Sequence, residues 1–163
     1  MAKAASEKTN VMRLLEQKKI SYIPHSYPHA DGPVDGVTVA DMIGVDPARV
    51  FKTLVARGAS KAVYVFVIPV ARELDLKKAA KSVGEKSIAM IHVNEITELT
   101  GYVRGGCSPV GMKKGYRTVF DAQTQQVETL LVSAGKIGFQ VEVAPDALIA
   151  LVRGMVADLT VEA

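Results

Sequence analysis

The fold is decided by the stretch Val50-Phe-Lys-Thr-Leu-Val-Ala-Arg-Gly-Ala-Ser-Lys-Ala-Val-Tyr-Val-Phe-Val-Ile-Pro69. Side chains alternate in character from Val50 to Ala56, as they do in a strand, and Gly58-Ala-Ser60 indicates a turn. The segment from Ala62 to Pro69 is almost wholly apolar, which is typical of a strand buried on both faces. The stretch therefore predicts two strands joined by a short turn, with the second strand buried.

Helices and further strands are predicted on both sides of this stretch. Val11, Leu14 and Leu15 form the apolar stripe of a first helix, which Thr9 or Asn10 could cap. The remaining patterns predict strands over 20–27, 88–93, 117–120, 128–133 and 138–143, and helices from about 38 to 44, 74–83, 95–100 and 145–152.

Turn and cap residues refine these boundaries. Pro24 puts the first strand at an edge or a bulge, and Gly44 ends the second helix. Asp46-Pro47 starts a helix of about one turn, and Asn94 is predicted to cap the helix at 95–100. The irregular alternation of elements predicts an α+β fold, in which residues 1–163 form a single domain with a mixed, curved, barrel-like sheet flanked by helices.

Composition limits the classes of protein to which the chain can belong. Of its 163 residues 48% are apolar and 23% charged, which favours a folded globular domain over disorder. No apolar run approaches the ~18 residues of a membrane span, and the N-terminal segment lacks a secretory signal, so we expect a cytoplasmic protein without membrane contact. Cys107 is the only cysteine, which excludes an internal disulfide and a cysteine-based zinc site. The three histidines lack metal-motif spacing, so we expect no metal and no cofactor.

The net charge of +3 permits a polyanionic partner without requiring one. The basic residues form two groups in the sequence, which are Lys77, Lys78, Lys81 and Lys86 in the first and Lys113, Lys114 and Arg117 in the second. Charge alone favours two solvated faces over a binding surface.

Lys52 is the first candidate for chemistry, because it shares one side of its strand with Val50 and Leu54. If that side points inward, an ammonium lies in an apolar wall, which is costly unless an anion such as a ligand phosphate pairs with it. The alternative is a solvated side, or a lysine that extends past the sheet edge to water.

The segment from Gly101 to Gly115 is the second candidate, because it holds five glycines, at positions 101, 105, 106, 111 and 115. Exposed N–H groups in such a loop can hold a phosphate or polarise an ester carbonyl, and the alternative is a connection made of tight turns. The P-loop interpretation fails, since Met112 stands where lysine is required. Cys107 and Ser108 lack the neighbouring base or elbow motif of a nucleophile.

A third polar cluster, Ser133-Ala-Gly-Lys136, lies between two apolar strands and fits either a hairpin or a site lining. Together the clusters resemble the YbaK/EbsC family, and specifically its Cys-tRNA(Pro) deacylases, from about Val11 to Leu159. The matching segments are Lys19-Ile-Ser-Tyr22, His25-Ser-Tyr27, Val50-Phe-Lys-Thr-Leu-Val55, Leu74-Asp-Leu-Lys-Lys-Ala-Ala-Lys81, Thr100-Gly-Tyr-Val-Arg-Gly-Gly-Cys-Ser-Pro-Val-Gly111 and Val132-Ser-Ala-Gly-Lys136.

The resemblance implies a fold similar to the editing domain of bacterial prolyl-tRNA synthetase and a set of site residues. Lys52 matches the key lysine, with Thr53 beside it, and Tyr27 matches the pocket tyrosine. The remaining implied site residues are Gly101, Gly105 and Gly106 for catalysis, and Ser108, Pro109, Gly111, Ser133, Gly135 and Lys136 for substrate binding. Departures from the family pattern are Cys107, Ala134, Ile137 and the 29–36 loop, which in the family helps to form the amino-acid pocket.

The resemblance also implies an activity without an enzymatic nucleophile. The cysteine thiol of the substrate attacks its own ester carbonyl and leaves as a thiolactone, while the enzyme positions the ester and stabilises the oxyanion. The implied partners are aminoacyl-tRNA and, in a transient complex, prolyl-tRNA synthetase. Two alternatives stay open, namely a deacylase for another mischarged amino acid such as alanine, and a non-catalytic RNA- or nucleotide-binding module.

Overall fold

A computed structural model describes residues 8–29 and 32–162. The helices in these ranges are α1 (Asn10–Gln17), α2 (Gly36–Ile43), α3 (Leu76–Val83), α4 (Ile96–Thr100) and α5 (Pro145–Leu151), with 3-10 turns at Pro47–Arg49, Val93–Glu95 and Ala122–Gln126. The strands are β1 (Tyr22–Ser26), β2 (Phe51–Gly58), β3 (Val63–Pro69), β4 (Ile88–Met90), β5 (Arg117–Asp121), β6 (Leu130–Ser133), β7 (Phe139–Val143) and β8 (Met155–Ala157). None of the described helices is long and apolar enough to cross a membrane.

The strands form two sheets, where the sequence predicted one. An antiparallel sheet has the order β1-β7-β6, and a mixed sheet has the order β4-β2-β3-β5-β8. A parallel bridge between Val50 and Leu131 links them. Because strands twist, the sheets diverge beyond this bridge. The α+β class is confirmed, but no described ladder closes the sheets into a barrel, so the barrel-like shape stays an expectation.

The predicted burial of β3 on both faces is confirmed. Val65 and Val67 contribute to one hydrophobic cluster, which includes residues of β6, β7, α1 and α5. Phe66 and Ile68, on the opposite face of the same strand, pack in a second cluster with α3. β3 therefore separates two cores, which explains why its sequence lacks a polar side.

Most predicted boundaries agree with the structure, and one cap is wrong. The Thr9 hydroxyl accepts from the Met12 amide at 3.2 Å and caps α1, while Gly44 ends α2 in the left-handed conformation. Asn94 does not cap α4, because a 3-10 turn that begins after His92 precedes the helix. The Glu95 carboxylate accepts from the His92 amide at 3.0 Å and thereby moves the start of this turn upstream.

A charged network holds the two sheets together beside the bridge. Glu142 of β7 accepts from the Arg49 guanidinium at 2.6 Å and from the Thr129 hydroxyl at 2.6 Å, and it pairs with His25 at 2.9 Å. Burial by itself would raise the pKa of the Glu142 carboxyl. The hydrogen bonds from Thr129 and His25 and the charge of Arg49 outweigh this effect, so the pKa lies below its usual value. Because Arg49 directly precedes the β2 segment, the network sets where β2 starts relative to the antiparallel sheet.

Candidate active site between the two sheets

A cleft of about 770 Å³ occupies the space where the two sheets diverge. β4 pairs only with Ala56–Gly58, so the preceding part of β2 has no strand partner on its outer edge. This free edge forms one wall of the cleft, and β6 and β7 contribute to the other. The lining is Tyr27, residues 33–36, Val39, residues 50–55, Val70, Met90, Ile91, Val93, Ile96, Arg104, Gly105, Cys107, Ser133 and Gln140. Its volume is typical of a ligand site.

Lys52 and Ser133 both line this cleft. Each lies two residues beyond the bridge between Val50 and Leu131, on β2 and β6 respectively. Lys52 is partly buried, and burial lowers the pKa of its ammonium, although the charge of Glu73 acts in the opposite direction. Its ammonium forms no hydrogen bond or ion pair with the described residues. A partly buried ammonium without such a partner is available to an anion.

Two buried polar atoms at the cleft have no partner in the described structure. They are Thr53 Oγ1, on β2, and Gln140 Oε1, on β7. Only 7% of Gln140 is exposed, so water reaches this side chain poorly. A buried polar atom without a hydrogen bond costs about 1–3 kcal/mol and is rare in folded proteins. Both residues line the cleft.

The glycine-rich loop reaches the cleft through Arg104, Gly105 and Cys107. Gly105 has φ +87°, and a Cβ on it would lie 2.5 Å from the Cβ of Pro33, so only glycine fits against the facing segment. The amides of Gly101 and Gly106 already donate to Thr97 and Val103 carbonyls, at 2.8 and 2.9 Å. The amides of Gly105 and Cys107 donate to no described residue. The Arg104 amide likewise donates to no described residue, so three amides of cleft-lining residues in this loop could serve as oxyanion donors.

The other residues that the sequence singled out lie outside the cleft lining. Ser108 is fully buried, and its hydroxyl accepts from the Val110 amide at 3.2 Å. Pro109 and Gly111 line a separate groove. Gly135 donates its amide to the Ser133 hydroxyl at 3.1 Å, and the Lys136 ammonium lies 5.5 Å from the centre of the Phe139 ring. These residues shape the turns that support the cleft.

The cleft lining provides no evident nucleophile with a base. Burial raises the pKa of the Cys107 thiol to about 11, so this thiol is protonated at neutral pH. Asp35, the one carboxylate of the lining, caps α2 by accepting from the Thr38 amide and hydroxyl, and these bonds lower its pKa. Across residues 8–29 and 32–162, no three His, Cys, Asp or Glu side chains are grouped so that they could hold a metal.

Gln140 and Arg104 were missed by sequence reasoning. Gln140 shares one side of β7, Phe-Gln-Val-Glu-Val, with Glu142, and the polar residues that alternate with apolar ones in this strand are the signal that could have identified it. Arg104 stands within the glycine-rich segment, for which the sequence interpretation considered only backbone N–H groups and not this side chain. The 33–36 segment does line the cleft, as the family resemblance implied for the 29–36 loop, of which residues 30–31 lie outside the described residues.

Comparisons with known proteins identify the family of the chain. The sequence model described as an aminoacyl-tRNA editing domain matches residues 34–151. EbsC of Enterococcus faecalis, a proposed Cys-tRNA(Pro)/Cys-tRNA(Cys) deacylase, is 42% identical over 158 residues, which cover 97% of this chain and 96% of that relative. YwhH of Bacillus subtilis is 29% identical over 109 residues, 67% of this chain and 69% of YwhH. A crystal structure of a proposed trans-editing enzyme for prolyl-tRNA synthetase superimposes with a TM-score of 0.81 and 25% identity, and covers 96% of this chain and 100% of that one.

Proposed function

The chain belongs to the aminoacyl-tRNA editing family, in its YbaK/EbsC group, and from that premise we propose that it removes cysteine from mischarged Cys-tRNA(Pro). Cys-tRNA(Cys) is proposed as a second substrate, since the name of EbsC carries both. The observation that supports the proposal best is the cleft itself. It combines a lysine without a counter-ion, two unpartnered buried oxygen atoms and no evident nucleophile.

The missing partners in the cleft match the groups of an aminoacyl-adenosine end. Lys52 would hold the terminal nucleotide through a phosphate or a ribose oxygen, as a point charge. Gln140 Oε1 needs a donor, and the α-ammonium of the amino acid or a ribose hydroxyl provides one. Thr53 Oγ1 can donate or accept. Tyr27 and Ser133 would shape the space for a small side chain.

We propose that the substrate supplies the nucleophile. The cysteine Sγ forms a bond to its own carbonyl carbon, and the ester bond between that carbon and the ribose oxygen breaks. The ribose oxygen takes up the proton that the thiol gives up. The products are cysteine thiolactone and a tRNA with a free ribose hydroxyl, and water then opens the thiolactone to cysteine. The enzyme contributes by holding sulfur and carbon in a reactive geometry.

The amides of Gly105 and Cys107 are the proposed oxyanion donors. Negative charge develops on the carbonyl oxygen as sulfur attacks, and N–H groups that are fixed in place stabilise it without reorganising. Both amides lack an acceptor among the described residues, and both belong to residues that line the cleft. Gly101 and Gly106 would then act by holding the loop.

Selection of the tRNA is proposed to depend on prolyl-tRNA synthetase. A chain of 163 residues has little surface with which to read a whole tRNA. A transient complex with the synthetase would deliver newly mischarged tRNA before it leaves. Adding the synthetase to a deacylation assay is expected to increase the preference for tRNA(Pro) over other cysteinylated tRNAs.

The central test compares purified protein on Cys-tRNA(Pro) and Ala-tRNA(Pro) in parallel. We expect the cysteine ester to be cleaved at least ~100-fold faster, because an intramolecular thiol has a large effective molarity. Mass spectrometry of early products should reveal a compound one water lighter than cysteine. Equal rates on both substrates would favour an enzyme-positioned water, and binding without ester loss would favour a non-catalytic module.

Gln140→Leu is expected to separate stability from activity. Leucine removes an unpartnered buried oxygen, so the melting temperature should stay unchanged or rise. If Gln140 Oε1 accepts from the substrate, KM for Cys-tRNA(Pro) should rise about 10-fold, which corresponds to one lost hydrogen bond to a charged group. Gln125→Leu, on the exposed Ala122–Gln126 turn, serves as the control. A variant that is less stable but fully active would show that Gln140 has only a structural role.

A further inference from the structure

A second groove, of about 480 Å³, is lined by the part of the glycine-rich loop that does not reach the cleft. Its lining is Leu14, Lys18, residues 109–112, residues 114–118 and residues 151–153. Cys107 lines the cleft and Pro109 lines the groove, so two residues of chain, at most about 7 Å, separate the two surfaces. We call this surface the basic groove.

The basic groove carries four positive charges and no carboxylate. The cations are Lys18, Lys114, Arg117 and Arg153, and the lining includes no Asp or Glu. None of the four forms an ion pair with the described residues, and Arg117 donates only to the Val83 carbonyl and the Met155 sulfur. The C-terminal ends of α1 and α5 each contribute about half a negative charge, which leaves the groove strongly positive.

Arg153 has a backbone conformation that favours glycine. It follows α5 with φ +55°, in the left-handed region. The amide of Gly154 donates to the Ile149 carbonyl at 2.8 Å and that of Arg153 to the Ala150 carbonyl at 3.2 Å, which together form a Schellman motif. Glycine is the usual residue at this position, so the arginine side chain is present there at a cost in backbone strain.

The groove has the composition of a phosphate-binding surface. Arginine and lysine with free donors bind phosphate oxygens, and arginine can bind them through two parallel hydrogen bonds. Partly buried apolar side chains, among them Leu14, Met112 and Leu151, form its floor. The three segments that bring the cations are the end of α1, the loop from Lys114 to Arg117 and the end of α5, so the charges are fixed by the fold.

We infer that the basic groove binds backbone phosphates of the same RNA whose aminoacylated 3′ end enters the cleft. The inference rests on the proposed function, because it takes the RNA in the cleft as given. The proximity of the two surfaces along one loop supports it, since Cys107 of the cleft and Pro109 of the groove are only two residues apart. The groove supplies affinity for the RNA body, and the cleft supplies the chemistry.

Binding of uncharged tRNA(Pro) tests the inference directly. For wild type we expect the logarithm of affinity to fall with the logarithm of salt concentration with a slope of about −3, as for three to four phosphate contacts. The variant Lys114→Glu/Arg153→Glu should bind at least about 10-fold more weakly at physiological salt. The control Lys77→Glu/Lys81→Glu changes net charge equally on the exposed side of α3, outside the groove lining, and should change affinity less than about 3-fold. Equal losses in both variants would overturn the inference.

Arg153→Gly distinguishes a binding role from a capping role. Glycine relieves the left-handed strain, so the melting temperature should stay unchanged or rise. The salt slope should become shallower by about one, because one phosphate contact is lost. A lower melting temperature with unchanged RNA affinity would show that Arg153 serves only the end of the helix, and would contradict the inference.

A short substrate separates this inference from the proposed function. Cysteine esterified to adenosine has no backbone phosphate that the groove could bind, so Lys114→Glu/Arg153→Glu should raise KM for Cys-tRNA(Pro) and leave KM for this short ester unchanged. Similar losses on both substrates, or a loss seen only when prolyl-tRNA synthetase is added, would overturn the inference. If wild type cleaves neither substrate, the proposed function fails, and the binding assay with uncharged tRNA(Pro) still decides whether the groove binds RNA.

Discussion

Replacing Lys52 by alanine is expected to lower the rate of Cys-tRNA(Pro) deacylation by about 100- to 1,000-fold, a loss typical of a removed electrostatic contact in a preorganised site. Lys52 is the cation of the β2 wall, and its ammonium has no partner among the described residues. The interaction that is lost is therefore one with the substrate. Single-turnover rates at saturating enzyme would measure the effect on the chemical step.

We expect Lys52→Ala to be as stable as wild type, although its activity falls. Burial lowers the pKa of the Lys52 ammonium, which means that folding disfavours its charged form at neutral pH. Removing the charge relieves that cost, so the melting temperature of Lys52→Ala should equal or exceed that of wild type. Lys61→Ala, at an exposed position of the β2–β3 turn, provides the control and should keep full activity.

Lys52→Arg completes the series, because it keeps the charge and changes its shape. The planar guanidinium is larger than an ammonium and carries its charge in a fixed fork, so we expect poor rescue. Rates for Lys52→Ala within a few-fold of wild type would remove Lys52 from the site. Full activity of Lys52→Arg would show that charge alone matters there.

The nucleophile of the reaction is expected to belong to the substrate, and Cys107→Ala should therefore keep most of the activity. Cys107 lies at the cleft, but burial raises the pKa of its thiol to about 11, so it is almost entirely protonated at neutral pH. Replacing cysteine by serine on the substrate should lower the rate by roughly 100-fold or more, because a hydroxyl is a far weaker nucleophile than a thiol.

The pH dependence of the rate separates these two thiols. If the substrate thiol attacks, the enzyme-dependent rate should rise with pH and level off near the ordinary thiol pKa of about 8.5. An attack by Cys107 would require the rate to rise towards pH 11. At the alkaline end, loss of the proton from Lys52, whose pKa burial lowers, should reduce the rate again. Inactive Cys107→Ala together with full activity on Ser-tRNA(Pro) would indicate an enzyme cysteine as nucleophile.

Features governed by local sequence were predicted well. The caps of α1 and α2 depend on side chains within three or four residues of the helix, and Thr9 and Gly44 were both identified. Asn94 was a wrong prediction for the same kind of feature, because the Glu95 carboxylate reaches back to His92 and starts a 3-10 turn. Neighbouring residues can offer alternative helix caps, and which of them forms depends on tertiary packing that the local sequence does not reveal.

β8 was not predicted from the sequence, because it forms a strand only by pairing with β5. Met155–Ala157 is three residues long, too short for a periodic pattern, and it becomes a strand by pairing in parallel with β5. The strands Arg117–Asp121 and Leu130–Ser133 were predicted, since each of them carries a longer apolar run.

The sequence by itself determined the two-strand stretch from Val50 to Pro69, the double burial of β3 and, through its motifs, the family. These follow from side-chain periodicity and from short patterns, which are properties of neighbouring residues. Only the three-dimensional structure shows that the strands divide into two sheets and that Lys52, Ser133 and Gln140 line the same cleft. It also gathered the four cations of the basic groove from three separate segments. Each of these depends on which distant strand edges pair at the Val50–Leu131 bridge and how the twisted sheets diverge beyond it, and no local pattern carries that information.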